Sequence, residues 1–172
     1  MIAPIMADVQ SLAIVLPRAN DARFSPAREP RMYANILLST DGSDVARKGI
    51  EHGIALAKAL NAKVTVLTVT ESPMLYLPRK EDLVNWETAS KERASEVLDE
   101  ARAMVEQIGI SAELLHVSDA HPATAIIETA KSRGCDLIVM ASHGRRGLRK
   151  LVLGSQTSEV LMDGSVPVLV VH

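Results

Sequence analysis

Residues 34–60 read ANILLSTDGSDVARKGIEHGIALAKAL. The first six form a short apolar run closed by the turn signal TDGS. Ala46, Ile50, Ile54, Ala57 and Leu60 then recur at intervals that stack on one face of a helix. The opening unit is therefore a strand followed directly by a helix. A strand that is apolar throughout, instead of alternating with polar residues, belongs inside a parallel sheet covered by helices on both faces.

The unit repeats toward the C-terminal side. AKVTVLTV at 62–69 is rich in β-branched residues, and beyond a loop holding Pro73 and Pro78 the positions Ala94, Val97, Leu98, Ala101, Val105 and Ile108 keep helical spacing. AELLHV at 112–117 gives a third strand, and Pro122, in a favoured first-turn position, opens a helix through Ile126, Ile127 and Ala130 that stops near Gly134. CDLIVMA at 135–141 is a fourth strand, Val160 and Leu161 belong to a short helix, and VPVLVV at 166–171 is a fifth strand. Five such units predict an α/β fold with an open, doubly wound five-stranded parallel sheet and helices on both faces. Residues 1–31 hold Pro4, Pro17, Pro26 and Pro30, charges of both signs and no sustained period. They are expected to be a disordered tail, which leaves residues 32–172 as the domain. Met32 stands just before the first strand as a second candidate for the translation start.

Composition narrows the partners. Charged residues make up 23% of the 172-residue chain and its net charge is -2, so no global field attracts nucleic acid or an anionic membrane. One Trp, one Phe and two Tyr leave little surface on which single-stranded bases could stack. The single Cys135 excludes an internal disulfide, suits a reducing compartment and reads as a small core residue at the start of a buried strand. No apolar run approaches the roughly 18 residues of a membrane span. The segment SLAIVL at 11–16 is short for an export signal and follows Asp8 where a basic stretch would stand, so a soluble cytoplasmic protein is expected.

Ligands of doubly wound sheets bind beyond the carboxyl ends of the strands, where the strand order reverses. Three segments qualify: STDGS at 39–43, the end of the second strand at Val69 and Thr70, and ASHGRRGLRKLVLGS at 141–155. In the last, Gly144 and Gly154 permit close approach of a ligand. Ser155 begins a helix whose free N–H groups favour an anion, with Ser155 and Thr157 as sources of hydroxyls. An exposed helix terminus contributes only about 0.3–1 kcal/mol, so a triphosphate needs several such groups together. On spacing alone the plainer account, Gly154 ending a turn and Ser155 capping the helix, is favoured. Arg145, Arg146, Arg149 and Lys150 interleave with Leu148, Leu151 and Val152, as in a helical turn with one packed and one solvated side.

Asp41 reads evenly as a ligand for ribose, base or a water-held metal, and as a turn former or helix N-cap. His143 has no carboxylate in the local sequence to orient it as a base, and His52, His116, His121 and His172 lack metal-ligand spacing. Neither G-x-x-x-x-G-K-[ST] nor a G-x-G-x-x-G after the first strand is present.

From about Tyr33 to His172 these residues resemble the universal stress proteins, through ILLSTDGS, GCDLIVMASHGRRGL, LGSQTSEVL and SVPVLVV. Nucleotide-binding members carry G-x-x-G, nine residues, then G-[ST]. Here the pattern is Ala141-Ser142-His143-Gly144, nine residues, then Gly154-Ser155, so only the first glycine departs; Ser39 stands where such members often have proline. The resemblance implies a strand order 3-2-1-4-5 and ATP or a related adenine nucleotide (ADP or AMP) at the switch point, with optional Mg held through the phosphates. By motif match Ser39, Thr40 and Asp41 would border base and ribose, and Val69 would offer backbone groups to the adenine. Met140 and Ala141 would follow on the other side, while Gly144, Gly154, Ser155, Gln156 and Thr157 would hold ribose and phosphates. Alanine at position 141 is tolerable there if its φ is negative and unfavourable if positive.

The resemblance also implies a homodimer paired strand five to strand five through residues 166–171, which would cover a long apolar edge with Pro167 only at its start. The expected function is a stress-response regulatory protein that binds adenine nucleotide and hydrolyses ATP slowly at most, with no catalytic residue assigned. The alternative is a dimeric interaction module whose loop is intact but empty. An enzyme of nucleotidyl transfer ranks third, because the chain has no spare length for a substrate domain.

Overall fold

The computed structural model of the protein describes residues 32–71, 80–142 and 153–172. Its elements are β1 (Asn35–Ser39), α1 (Asp44–Leu60), β2 (Lys63–Thr70), α2 (Lys80–Ile108), β3 (Ala112–Ser118), α3 (Pro122–Ser132), β4 (Leu137–Ala141), α4 (Ser155–Asp163) and β5 (Val168–Val171). All five strands are parallel, in the order β3-β2-β1-β4-β5.

Because successive strand residues point to opposite faces, strands that are apolar throughout feed two cores. Ile36, Leu38, Val66 and Val139 pack against Ile50 and Ile54 of α1 and Val105 of α2 on one face. Leu37, Leu67, Ile138 and Met140 pack against Ile126 of α3 and Val160 of α4 on the other. Ile36, Leu37 and Leu38 have no exposed surface, and burying such a side chain contributes roughly 1.5–3 kcal/mol. The path from β1 through α1 to β2 thus runs over one face, and the crossover from β3 through α3 to β4 runs over the other. The chain leaving β1 and the chain leaving β4 part to opposite sides of the sheet, which opens a crevice above their carboxyl ends.

Local chemistry fixes the ends of these elements. Ser43 caps α1 by accepting the Ala46 N–H at 3.2 Å, and Asn61 ends it in the left-handed conformation at φ 50°. The Asp136 carboxylate accepts the N–H groups of Ala34 at 2.6 Å and Asn35 at 2.9 Å, tying the start of β1 to the chain entering β4. That turn takes Cys135 and Asp136 out of the expected 135–141 strand. Cys135 remains in the core, 6% exposed. The fifth strand is also shorter than the expected 166–171. Pro167 has no N–H to continue the ladder, although its carbonyl accepts the Ile138 N–H at 2.9 Å, and regular pairing starts at Val168. Residues 1–31, the Pro73 and Pro78 loop, and the basic segment from Arg145 to Lys150 lie outside the described residues.

Candidate functional site

The crevice is rimmed by the ends of β1, β2 and β4 and by the start of α4. β1 turns away after Ser39, opposite Leu67 of β2, and its last link is the Thr40 N–H donated to the Leu67 carbonyl at 2.9 Å. Backbone groups in a parallel ladder alternate sides, so Val69, two residues beyond Leu67, turns its N–H and C=O toward the space above β1. On the other side Ser142 donates its N–H to Val171 of β5 at 2.8 Å. Ala141 therefore turns its backbone away from β5, toward the same space. Val69 and Ala141 bracket the crevice from opposite walls.

The floor is the loop after β1. Thr40 is buried, and its hydroxyl oxygen accepts the Gly42 N–H at 3.1 Å. Asp41 Oδ1 accepts the Ser43 N–H at 3.0 Å, so Asp41 forms the turn while Ser43 serves as the N-cap. Gly42 adopts φ 76°, which favours glycine. Ser39 and Asp41 are half-buried at this rim.

The opposing piece is the N-terminus of α4, clasped onto the end of β4 at two points. Gly154 donates its N–H to the Ser142 carbonyl at 2.8 Å, and the buried Thr157 hydroxyl donates to the Ala141 carbonyl at 3.0 Å. The excursion between residues 142 and 154 thus leaves and returns at one place. Gly154 is the N-cap of α4 and brings no side-chain cap. The N–H groups of Ser155, Gln156 and Thr157 are first-turn donors with no intrahelical partner, so this end of the helix carries the partial positive charge of its dipole. Gly154 itself has φ -59° and ψ 149°, which any residue can adopt. Its lack of a side chain matters for approach, and not for conformation.

The motif residues therefore divide. Ser39, Thr40, Asp41, Val69, Met140, Ala141, Gly154 and Ser155 gather around one crevice, and Met140 does so by backbone, because its side chain lies in the core with α3 and α4. Gly144 and His143 are outside the described residues. Gln156 faces elsewhere: its Oε1 accepts the Ala123 N–H at 2.9 Å and caps α3, beside a contact of 3.5 Å between His121 Nε2 and Glu159 Oε2. Thr157 directs its hydroxyl into the fold. The alanine at position 141 has a strand backbone and is absent from the residues with positive φ, so its methyl is tolerated. It meets α1 at Gly49, where an added methyl would stand 3.4 Å from the Ala141 nitrogen.

Sequence reasoning missed two side-chain pairs at the crevice margin. Thr70 Oγ1 and His116 Nε2 share a hydrogen bond of 3.0 Å across the ends of β2 and β3. Burial, and then the charge of Lys91, lower the pKa of His116 below its ordinary value. Ser142 Oγ and His172 Nδ1 lie 2.6 Å apart. Neither pair has a local signature, since each joins strands distant in the chain. Among the described residues no group of three or more His, Cys, Asp or Glu is arranged to hold a metal, and no helix is long and apolar enough to cross a membrane.

Fold and rim together define a doubly wound α/β protein with a crevice above the switch point, bordered by backbone groups and by a helix N-terminus that has no side-chain cap. The chain belongs to the universal stress protein family, whose model matches residues 32–172. It is 35% identical over 144 residues to universal stress protein MJ0531 of Methanocaldococcus jannaschii, covering 81% of this chain and 82% of that one. It superposes on the universal stress protein UspA of Lactobacillus plantarum with a TM-score of 0.72 at 26% identity, over 81% of this chain and 98% of the other. A universal stress protein solved in complex with cAMP is similar at a TM-score of 0.60 and 25% identity, over 82% and 98% of the two chains.

Proposed function

We propose that this protein is a nucleotide-responsive regulator that binds ATP or a related adenine nucleotide in the crevice above β1 and acts as a homodimer through β5. The observation that supports the reading is the double clasp of the α4 N-terminus onto the end of β4, through Gly154 to Ser142 and Thr157 to Ala141, which holds a helix end without a side-chain cap beside the strand next to β1. Adenine would sit against the backbone of Val69, with Ser39, Thr40 and Asp41 along base and ribose. Met140 and Ala141 would form the far wall, and the phosphates would lie at Gly154 and Ser155, approached from Gly144. Gln156 and Thr157 would contribute backbone N–H groups, since their side chains are committed to α3 and β4. Any Mg would be held through the phosphates. The relative in complex with cAMP supports an adenine nucleotide as the ligand class.

The test is to identify nucleotide released from protein purified without added ligand and to titrate ATP, ADP and AMP by calorimetry. Sub-millimolar affinity that is lost in Gly154→Val supports the reading. The backbone at 154 accepts valine, so the loss would report blocked approach. Absence of both bound nucleotide and sub-millimolar affinity rejects it in favour of an interaction module with an empty loop.

A further inference from the structure

β2 reaches farther than its neighbour β1. Its pairing with β1 ends at Ser39 and Leu67, whereas its pairing with β3 continues to Thr70 and Ser118. Thr68, Val69 and Thr70 therefore overhang the crevice, and no described strand pairs with them on the β1 side. The Thr70 carbonyl accepts the Ala120 N–H at 3.3 Å, so Thr70 turns its backbone to β3 and Val69 turns its own to the crevice. One side-chain link adds to this one-sided ladder. His116 stands opposite Thr68 and reaches diagonally along the same face to Thr70, with Nε2 3.0 Å from Oγ1. The hydroxyl donates when that nitrogen is unprotonated and accepts when it carries the proton, so the link survives in either tautomer. We propose that His116 is a positioning residue for the base-binding wall: through the Thr70 hydroxyl it braces the overhanging end of β2 and fixes the direction in which the Val69 N–H and C=O meet the base of a nucleotide.

A strand held along one edge can swing above or below the plane of its sheet, and a side-chain bond on one face opposes that swing. Val69 lies between Leu67, tied to Thr40, and Thr70, tied to His116, so its two backbone groups are aimed from both ends. Water can satisfy the Thr70 hydroxyl when the imidazole is removed, but it does not tie the two strands together. An N–H and a C=O presented side by side match the edge of adenine, whose N1 accepts and whose 6-amino group donates. Hypoxanthine, with a proton on N1 and a carbonyl at position 6, reverses both roles, and a site built for one pattern rejects the other. Hydrogen bonds weaken steeply as they bend, so a misdirected Val69 should discriminate less between the two bases.

The inference rests on the proposed nucleotide site, with adenine against Val69, so the experiment has a ligand-free arm. Amide hydrogen exchange is measured in the unliganded full chain and in His116→Ala, Thr70→Val and Thr70→Ser. Exchange at Ala120, whose N–H is donated to the Thr70 carbonyl, should rise about tenfold in the first two variants, the size of one net hydrogen bond. Thr70→Ser keeps the hydroxyl and should keep the protection, and the amides of the buried Val66 and Leu67 should not respond. Uniform change across the sheet, or no change at Ala120, overturns the proposal whether or not nucleotide binds.

The second arm titrates ATP and inosine triphosphate by calorimetry. The wild type should prefer ATP, and that preference should fall about tenfold in His116→Ala and in Thr70→Val, through weaker ATP binding with inosine triphosphate little changed. Thr70→Ser should retain it, and the double variant should lose no more than either single one, because both remove the same contact. A merely structural role would lower the two affinities together. Wild-type protein that shows the exchange effect but binds neither nucleotide would sink the nucleotide reading and the positioning role with it. Wild-type binding without a preference for ATP, or a preference that the variants leave intact, would sink the positioning role alone.

Discussion

Thr157 and Gln156 are adjacent, and both directly follow the Gly154-Ser155 pair that ends the motif; their side chains stabilise the fold, so in the proposed site only their backbones would meet the ligand. Thr157→Val keeps the shape and removes the hydroxyl from the buried Ala141 carbonyl. It should cost about 1–3 kcal/mol in chemical denaturation and weaken ATP binding with it. Gln156→Leu strips α3 of the cap on the Ala123 N–H and should cost about 1 kcal/mol, with nucleotide affinity little changed. A large affinity loss in Gln156→Leu without destabilisation would return that side chain to the ligand. His116 carries a pH signature. Burial, and secondarily Lys91, lower its folded-state pKa below the ordinary 6.5, so as pH falls through 6.5 the unfolded chain takes up a proton that the folded chain does not. Stability should decline across that window and level off below the folded pKa. Urea melts at pH 7.5 and pH 5.5 should therefore differ less in His116→Gln than in the wild type. The motif locates these residues along the chain, but a side chain's partner 33 residues away, as for Gln156 and Ala123, leaves no trace in local spacing.

At the scale of elements, α1 shows what the apolar period conveys and what it leaves out. Ala46, Ile50, Ile54 and Ala57 are all buried along one face, as the spacing predicts, and Leu60, the last residue of that series, is half-buried. The same face contains Gly49 and Gly53, whose effect depends on what lies across from them. A methyl at Gly53 would strike Leu38, which is fully buried and has little room to move. A methyl at Gly49 reaches only ordinary contact with the end of β4, 3.4 Å from the Ala141 nitrogen. Gly53→Ala should therefore lower stability by about 1–3 kcal/mol through overpacking. Gly49→Ala should be neutral or stabilising by up to about 1 kcal/mol, as helix propensity favours alanine. Thermal denaturation of both variants checks the contrast, and a matching loss in Gly49→Ala would mean that α1 lies closer to the crevice wall than its contacts indicate. The five strands were legible because each carries a short run of apolar and β-branched residues bounded by turn signals. Their exact ends were not, because Asp136 and Pro167 set them through tertiary hydrogen bonds and a missing donor.

For the whole molecule, the open question is what covers β5. The Val171 and Pro167 carbonyls both accept from β4, so odd-numbered residues of β5 turn their backbone inward. By alternation Val168 and Val170 turn theirs outward, along the edge that no described strand pairs. Leu169 is 39% exposed beside them. An edge that is this apolar and carries no charge within Val168–Val171 lacks the usual protection against pairing. Strand pairing with a second copy would satisfy its outward N–H and C=O groups. That arrangement predicts a dimer mass in light scattering at micromolar protein, independent of dilution through that range. Val170→Pro is the discriminating variant, because proline removes an outward N–H while sparing the ladder to β4. It should yield a monomer with wild-type far-UV circular dichroism. A dimer that survives in Val170→Pro would place the interface elsewhere, and a wild-type monomer at every concentration would leave β5 as a bare edge and remove the dimer from the proposed function.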